Sequence, residues 1–151
     1  MAEVVVPEID DLYYHQHLVE DPKTMSFSKP ISFGREKWEE FYKREVDRDP
    51  SEKFLAYIFC DACMDFTGEI SYKYDENVGG FLSFILIDAN HRRDGYGKEA
   101  LRLLKIEASN NDIHKFYALL DKNNNDGKGF VEKMGYELID DKDKLLYMLD
   151  F

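Results

Sequence analysis

The stretch from residue 81 to residue 98 constrains the fold more than any other part of the chain. An almost uninterrupted apolar run, Phe81–Ile87, has the composition of a β-strand that is covered on both faces. A turn containing Arg92, Gly95 and Gly97 follows, and helical periodicity begins directly after it. Backbone N–H groups at such a helix start converge on one point, where the helix dipole favours an anion. The two glycines lack the Cβ atoms that would keep a pyrophosphate away from the backbone. The segment therefore predicts a pyrophosphate site, without identifying the ligand that carries the pyrophosphate.

The rest of the chain alternates between helical and strand-like patterns. Apolar residues at helical spacing predict helices near residues 8–19, 35–46, 95–109 and 127–134. Runs rich in aromatic and β-branched residues predict strands near 2–6, 54–60, 66–74, 81–87, 116–120, 136–139 and 145–149. This order predicts a mixed α/β (α+β) sheet with flanking helices, in a single domain over residues 1–151.

Composition narrows the classes of function. The chain has 151 residues, of which 44% are hydrophobic, enough for one continuous core. Its net charge of −11 repels nucleic acid and anionic lipid, so we expect neither as a partner, and it modestly favours cationic ones. No apolar run approaches the roughly 20 residues that cross a bilayer, and the first residues lack the basic start of a signal peptide. We therefore expect a cytoplasmic protein.

Three interpretations of the glycine-bearing turn compete. Gly95-x-Gly97-x-x-Ala100 also satisfies a dinucleotide-binding fingerprint, and Asp121 lies at a suitable distance to hold a ribose. In that fold the first glycine follows its strand almost at once, whereas seven residues lie between Ile87 and Gly95 here. The glycines could alternatively be ordinary turn residues before a helix. The third interpretation rests on a family resemblance.

The motif Arg92-x-x-Gly95-x-Gly97 resembles the Q/R-x-x-G-x-G/A signature of the GNAT (Gcn5-related N-acetyltransferase) superfamily. The later stretch from Asn124 to Tyr136 is similar to the family's N-x-x-A-x-x-x-Y-x-K-x-G-F ending. Both motifs lie on the expected elements and in the family's order. The resemblance implies the GNAT-type acyl-CoA N-acyltransferase fold, with a mostly antiparallel central sheet, and acetyl-CoA as co-substrate without a metal.

The resemblance also implies roles for individual residues. The backbone of Ile85 and Ile87 pairs with the pantetheine arm in the manner of an added strand. The N–H group near Ile87 polarises the thioester carbonyl as an oxyanion donor. Asn124 contacts the pantetheine or thiol region, and the loop holds the pyrophosphate with Arg92 at its edge. The expected loop residues are Arg92, Arg93, Asp94, Gly95, Tyr96, Gly97 and Lys98.

The sequence departs from the family pattern at Val131, where many members have a tyrosine that protonates the departing thiolate. Phenolic acid catalysis from that position is therefore absent. An amine acceptor must lose a proton before it attacks, so a carboxylate or histidine base is useful. Glu69, on the strand beside Phe81–Ile87, is the first candidate base. The further candidates are His91, Asp121 and Tyr72.

These implications predict an acetyl-CoA-dependent N-acetyltransferase that transfers the acetyl group directly to a primary amine. The acceptor is an amine-bearing small molecule or peptide whose identity the sequence does not give. The sequence is also compatible with a homodimer. The alternative is a non-catalytic module that binds acyl-CoA as a sensor or regulator, an alternative that the valine at position 131 keeps open.

Other motifs carry weaker signals. The run that begins Asp121-x-Asn123-x-Asn125 resembles an EF-hand loop, but Asp126 takes the position of the turn glycine. The histidines show no zinc-ligand spacing, so we expect no metal. Cys60 and Cys63 form a C-x-x-C pair between two strand-like stretches, where we expect a hairpin turn and no special role.

Overall fold

The computed structural model describes residues 2–26, 28–92 and 95–151. The strands are β1 (Ala2–Val5), β2 (Lys53–Cys60), β3 (Asp65–Asp75), β4 (Gly80–Ile87), β5 (Lys115–Leu120), β6 (Glu137–Asp141) and β7 (Leu145–Asp150). The helices are α1 (Leu12–Glu20), α2 (Trp38–Phe41), α3 (Tyr96–Asn110) and α4 (Asn125–Lys133). A 3₁₀ turn, Ile9–Asp11, precedes α1, and α2 is flanked by a 3₁₀ turn, Arg35–Lys37, and a π turn, Tyr42–Val46.

All seven strands form one sheet in the order β1-β2-β3-β4-β5-β7-β6. Every neighbouring pair is antiparallel except β4 and β5, which are parallel. The predicted elements are all present, with boundaries that differ by only a few residues, and the mixed, mostly antiparallel sheet with flanking helices is confirmed.

Helices cover the sheet on both faces and create two apolar layers. On one face, Ala100, Leu101 and Leu104 of α3 pack against β3 and β5 residues such as Ile70 and Phe116. On the other face, residues of α1 and α2 pack against β2; this layer includes Leu12, Leu18, Trp38, Phe41, Leu55 and Tyr57. Two-sided burial explains why β2 is almost continuously apolar.

The expectation that Phe81–Ile87 is covered on both faces is wrong for part of the strand. Leu82 is buried, but the side chain of Phe84 is 45% exposed. Phe84 lies on the face of β4 that points toward α1 and α2, opposite Ser71 in the register with β3. The ammonium of Lys73 lies over its ring, 5.4 Å from the centroid. An apolar side chain is therefore accessible on one face of β4.

Within the residues that the structure describes, no helix is long and apolar enough to cross a membrane.

Candidate active site

Strands β4 and β5 separate toward their carboxyl ends. They pair at a single register position, Leu82 with Tyr117, although β4 continues to Ile87 and β5 to Leu120. The hydroxyl of Ser83 donates to the carbonyl oxygen of Tyr117 at 3.2 Å and lies 2.9 Å from the hydroxyl of Tyr136. These contacts close the narrow end of the opening. The wide end lies at the carboxyl ends of parallel strands, where ligands commonly bind in α/β sheets.

The backbone of β4 faces this opening at Ile85 and Ile87. Beyond the end of the strand, the N–H of Asp88 donates to the carbonyl oxygen of Thr67 at 2.9 Å. Opposed residues in an antiparallel ladder alternate between hydrogen-bonded and non-hydrogen-bonded pairs. The register pairs Ile87 with Gly68 and Ile85 with Ile70, so both isoleucines fall in the second kind of pair. Their N–H groups therefore point away from β3, toward the gap between β4 and β5.

Gly68 permits the close approach of β3 to the end of β4. A Cβ on Gly68 would lie 2.6 Å from the carbonyl oxygen of Leu86, a distance that real Cβ atoms do not tolerate. The register between β2 and β3 also shifts between Ile58 and Phe59, which leaves Thr67 as an extra residue beside Gly68. The extra residue, Thr67, is also the residue whose carbonyl oxygen accepts from Asp88 after the end of β4.

The loop after β4 is anchored by Asp88 and Arg92. Asp88 caps a 3₁₀ turn over residues 89–91 through the N–H of Asn90. The guanidinium of Arg92 donates to the carbonyl oxygens of Ile87 at 3.3 Å and Lys23 at 3.2 Å, and also to that of Thr24. Arg92 therefore ties the segment after α1 to the end of β4. Arg93 and Asp94, two of the predicted loop residues, lie outside the described residues.

The start of α3 lies directly after the glycine-bearing turn, as the sequence predicts. Gly95 adopts a left-handed conformation with φ of +81°, which a residue with a side chain rarely adopts. The N–H groups of Tyr96, Gly97 and Lys98 form the first turn of this 15-residue helix and have no acceptor within it. These groups lie at the end of the helix where the dipole favours an anion. The loop therefore presents backbone donors next to the opening between β4 and β5.

The structure shows a second role for the missing side chain of Gly97, one that the sequence did not indicate. A Cβ on Gly97 would lie 2.9 Å from Cε1 of Phe130, on α4. The missing side chain thus lets α4 pack against the first turn of α3.

The C-x-x-C pair lies at the hairpin between β2 and β3, with Cys60 as the last residue of β2 and Cys63 in the turn, and both cysteines are free thiols. Their sulfur atoms lie 3.4 Å (Cys60) and 3.9 Å (Cys63) from the hydroxyl of Tyr96. The hydrogen bond from Tyr96 is the largest cause that lowers the pKa of Cys60 to about 7. The same contact raises the pKa of the Tyr96 phenol. The pair therefore contacts the first residue of α3, a link that spacing alone does not reveal.

Asn124 caps α4 by accepting a hydrogen bond from the N–H of Gly127 at 2.8 Å. A Cβ on Gly127 would lie 2.6 Å from Nδ2 of Asn124, so glycine makes room for the asparagine side chain. Val131 is buried in the apolar layer below α3 and α4. The position that many family members give to a tyrosine is therefore part of the core in this chain.

Candidate base Glu69 lies on β3 with its side chain on the α1 side of the sheet. Its Oε1 is 2.6 Å from Nδ1 of His15, on α1, and both side chains are buried. The imidazole of His15 packs against the rings of Phe33 and Phe41, with centroid separations of 4.8 and 4.3 Å.

The weaker candidates lie in three different places. Tyr72 is buried on the opposite side of the sheet, where it donates to the carbonyl oxygen of Pro50, and burial raises its pKa to about 12. His91 lies 3.5 Å from a carboxylate oxygen of Asp65, and the exposed Asp121 lies 3.7 Å from the ammonium of Lys144.

A second histidine–carboxylate pair was not predicted. Nε2 of His17 lies 2.9 Å from Oδ2 of Asp88, and the hydroxyl of Tyr14 lies 3.3 Å from the same oxygen. Burial, with a smaller contribution from the charge of Asp88, raises the pKa of Tyr14, which keeps it a neutral donor. The sequence held one signal for this pair, because Asp88 is the first polar residue after β4.

A cavity of about 310 Å³ opens at the opposite end of the sheet, where β4 and β5 begin. Its lining includes Tyr74, Phe81 and His114 and none of the predicted site residues. Among the described residues, no three His, Cys, Asp or Glu side chains are arranged to hold a metal ion.

This sheet, with a helix start beside the opening between its two parallel strands, defines the acyl-CoA N-acyltransferase class of folds. The sequence model of the acetyltransferase (GNAT) family matches residues 11–136. The chain therefore belongs to the GNAT family of acetyltransferases.

Solved structures agree with this assignment at the level of the fold. One is an apo form of FdhC, described as a nucleotide-linked sugar GNAT, with a TM-score of 0.81 and 17% identity over 99% of this chain and 86% of that one. A variant of the spermidine N-acetyltransferase SpeG from Vibrio cholerae has a TM-score of 0.76 and 16% identity, over 99% of this chain and 93% of its own. The PaiA N-acetyltransferase from Thermoplasma acidophilum, in complex with coenzyme A, has a TM-score of 0.72 and 15% identity over 100% and 99% of the two chains. No curated protein sequence matches the chain.

Proposed function

We propose that this protein is an N-acetyltransferase that binds acetyl-CoA and transfers its acetyl group directly to a primary amine. The observation that carries the proposal is that the backbone N–H groups of Ile85 and Ile87 point away from β3 toward the gap between β4 and β5, on the strand that precedes α3 in the chain. An extended pantetheine arm can add to this side of β4 as a short strand would. The pyrophosphate of the same molecule would then meet the helix start.

The cofactor residues of this proposal are those that the family resemblance implies. Ile85 and Ile87 would bind the pantetheine arm through their backbone, and the Ile87 N–H would steady the oxyanion. The loop from Arg92 through Arg93 and Asp94 to Lys98 would hold the pyrophosphate, with Gly95, Tyr96 and Gly97 supplying backbone groups. Asn124 would lie beside the pantetheine or thiol region.

Transfer of the acetyl group forms one bond and breaks another. The lone pair of a neutral amine forms the new bond to the thioester carbonyl carbon, and the carbon–sulfur bond then breaks with its electrons going to sulfur. Thiolate is a moderately good leaving group, so the reaction tolerates the buried valine at position 131. A base must first remove a proton from the ammonium form of the acceptor. Glu69, paired with His15, and His17, paired with Asp88, are the groups available on the α1 side of the sheet.

A cationic acceptor fits the net charge of −11, because negative potential concentrates positively charged substrates near the protein. The spermidine N-acetyltransferase among the structural neighbours makes polyamines a sensible first class of acceptor to test.

Calorimetric titration of acetyl-CoA tests the cofactor part of the proposal. S-acetylpantetheine, which lacks the pyrophosphate, should bind far more weakly than acetyl-CoA. Lys98→Glu places a negative charge in the first turn of α3 and should weaken acetyl-CoA binding by about tenfold. Lys105→Glu, two turns further along the same helix, is the matched control and should bind as the wild type does. Equal affinity for both thioesters would contradict the proposed pyrophosphate site.

Release of free thiol from acetyl-CoA tests turnover, with spermidine, a lysine peptide and an amino sugar as acceptors. Thiol release that depends on the amine supports the transferase. Tight acetyl-CoA binding without thiol release for any amine, and without thioester hydrolysis, favours the alternative of a non-catalytic acyl-CoA sensor. The core location of Val131 is the observation that keeps this alternative in view.

A further inference from the structure

Two histidines of α1 contact carboxylates on adjacent strands, and they differ in their access to solvent. His15 pairs with Glu69 of β3, and His17 pairs with Asp88, which directly follows β4. In the first pair both side chains are almost fully buried, with exposed fractions of 11% for His15 and 10% for Glu69. In the second pair the carboxylate is 5% exposed whereas the imidazole of His17 is 46% exposed. An incoming amine can reach the second imidazole but not the first carboxylate.

The hydrogen bonds around Asp88 fix the orientation of the His17 ring. Asp88 accepts from the backbone N–H of Asn90 at 3.0 Å, from the hydroxyl of Tyr14 at 3.3 Å and from Nε2 of His17 at 2.9 Å. A carboxylate only accepts hydrogen bonds, so Nε2 of His17 carries the hydrogen. The lone pair of a neutral imidazole then lies on Nδ1. No hydrogen bond to Nδ1 is seen within residues 2–26, 28–92 and 95–151, so this nitrogen remains able to accept a proton.

The imidazole of His17 is connected to the proposed oxyanion donor through Asp88. Asp88, which holds the ring, is covalently linked to Ile87, the proposed oxyanion donor. The side chain of Asp88 points to the α1 side of the sheet, while the N–H of Ile87 points into the opening between β4 and β5. The proton acceptor on α1 would therefore lie on one side of the Ile87–Asp88 segment, and the thioester would lie on the other.

We infer that His17 is the general base of the acetyl transfer and that Asp88 is the residue that positions it. The inference rests on the proposed function, because it assigns a role within that reaction. The ammonium of the acceptor gives one proton to Nδ1 of His17, and the resulting amine attacks the thioester carbonyl carbon. When the carbon–sulfur bond breaks, the electrons leave with sulfur, and the second proton shed by nitrogen neutralises the thiolate. His17 returns its proton to solvent after the products leave.

His17→Gln tests the assignment, because the amide of glutamine can still donate to Asp88 but cannot act as a base. We expect kcat/KM to fall by about a hundredfold with an amine acceptor, while the affinity for acetyl-CoA stays unchanged. His114→Gln, an exposed histidine at the other end of the sheet, is the matched control and should retain full activity.

The pH profile separates a base from a merely structural residue. The wild-type rate should decline toward acid pH as the base becomes protonated, and His17→Gln should lack that decline. The ionisable groups that face His17 are Asp88 after β4, Tyr14 on its own helix and Asp21 at the end of that helix. Asp88→Asn, a second variant, should lower kcat/KM but keep an acid decline, because the base itself is still present.

Each result has a distinct meaning. Loss of the acid decline in Glu69→Gln together with its persistence in His17→Gln would overturn the inference and assign the base to Glu69. An active His17→Gln enzyme with the wild-type pH profile would also overturn it. In both cases the wild type still transfers acetyl groups, so the proposed function survives. Absence of transfer by the wild type with every amine would instead refute the proposed function.

Discussion

The ring of Phe130 lies against Gly97 so closely that a Cβ on the glycine would be 2.9 Å from Cε1. This contact predicts a thermodynamic coupling between α3 and α4. Gly97→Ala should cost about 1 kcal/mol of unfolding free energy, since overpacking of 1–3 kcal/mol outweighs the better helix propensity of alanine. In a Phe130→Ala background the same change should instead stabilise the protein by about 0.5 kcal/mol or more. Urea unfolding of the four variants measures the coupling, and additive effects would contradict the contact.

Gly95 and Gly129 form a matched pair for testing backbone conformation. Apart from its chain neighbours, no described residue has a heavy atom within 4 Å of a Cβ added to either glycine, but Gly95 has a φ of +81° whereas Gly129 lies within α4. Gly95→Ala should therefore destabilise the protein by about 1–2 kcal/mol through strain alone. Gly129→Ala should stabilise it by about 0.5–1 kcal/mol through helix propensity. Thermal or urea unfolding distinguishes the two, and effects of the same sign would show that the conformation of Gly95 is not limiting.

Most of the fold could be predicted because its signals are local. Helical spacing around Leu101 and Leu104, and the aromatic and β-branched runs near Phe54 and Phe66, depend only on neighbours in the sequence. The glycine-bearing turn before a helix is likewise local, so the start of α3 was predicted correctly, whereas the left-handed conformation of Gly95 comes from the structure.

The side-chain contacts of the site could not be predicted, because they join residues that are far apart in sequence. His17 and Asp88 are separated by 71 positions, and their pairing depends on how α1 crosses the sheet. The exposure of Phe84 has the same origin. An apolar run shows that a strand is buried somewhere, but only the placement of α1 and α2 determines which of its residues they leave uncovered.

The hydrogen bond from Tyr96 to Cys60 predicts a titration that one substitution should shift. The pKa of the Cys60 thiol is lowered to about 7, chiefly by this bond, so a large fraction should be thiolate at neutral pH. In a Cys63→Ala background, which leaves a single thiol, ultraviolet absorbance should follow this titration directly. Tyr96→Phe removes the donor and should move the midpoint upward, toward the ordinary value of about 8.5. An unchanged midpoint would show that the hydroxyl does not stabilise the thiolate.

The same shift has a consequence for stability. A thiol whose pKa is lower in the folded state binds its proton more weakly there, so it contributes stability above the unfolded pKa. That contribution disappears as the pH falls through about 7. The difference in unfolding free energy between the Cys63→Ala protein and a Cys60→Ala, Cys63→Ala double variant should therefore grow between about pH 7 and pH 9. A difference that stays constant over this interval would contradict the assigned direction.

Because Val131 is buried, we expect that replacing it with the tyrosine found in many family members will not supply an acid catalyst. Its side chain is 6% exposed and packs in the layer that includes Ala100, Leu104 and Tyr136. Val131→Tyr would insert a ring into filled space and should lower the unfolding free energy by about 1–3 kcal/mol without raising kcat. Val131→Ala is the cavity-forming control and should also destabilise, by about 1–3 kcal/mol, while leaving kcat near the wild-type value.

Unfolding measurements combined with thiol-release rates at saturating acetyl-CoA separate these effects. A faster reaction in Val131→Tyr with unchanged stability would show that the position opens onto the thiolate after all, in which case a phenol there would supply the missing acid. A destabilised variant with no gain in rate would instead leave the departing thiolate to be protonated by the acceptor nitrogen or by solvent, as the proposed direct-transfer reaction allows.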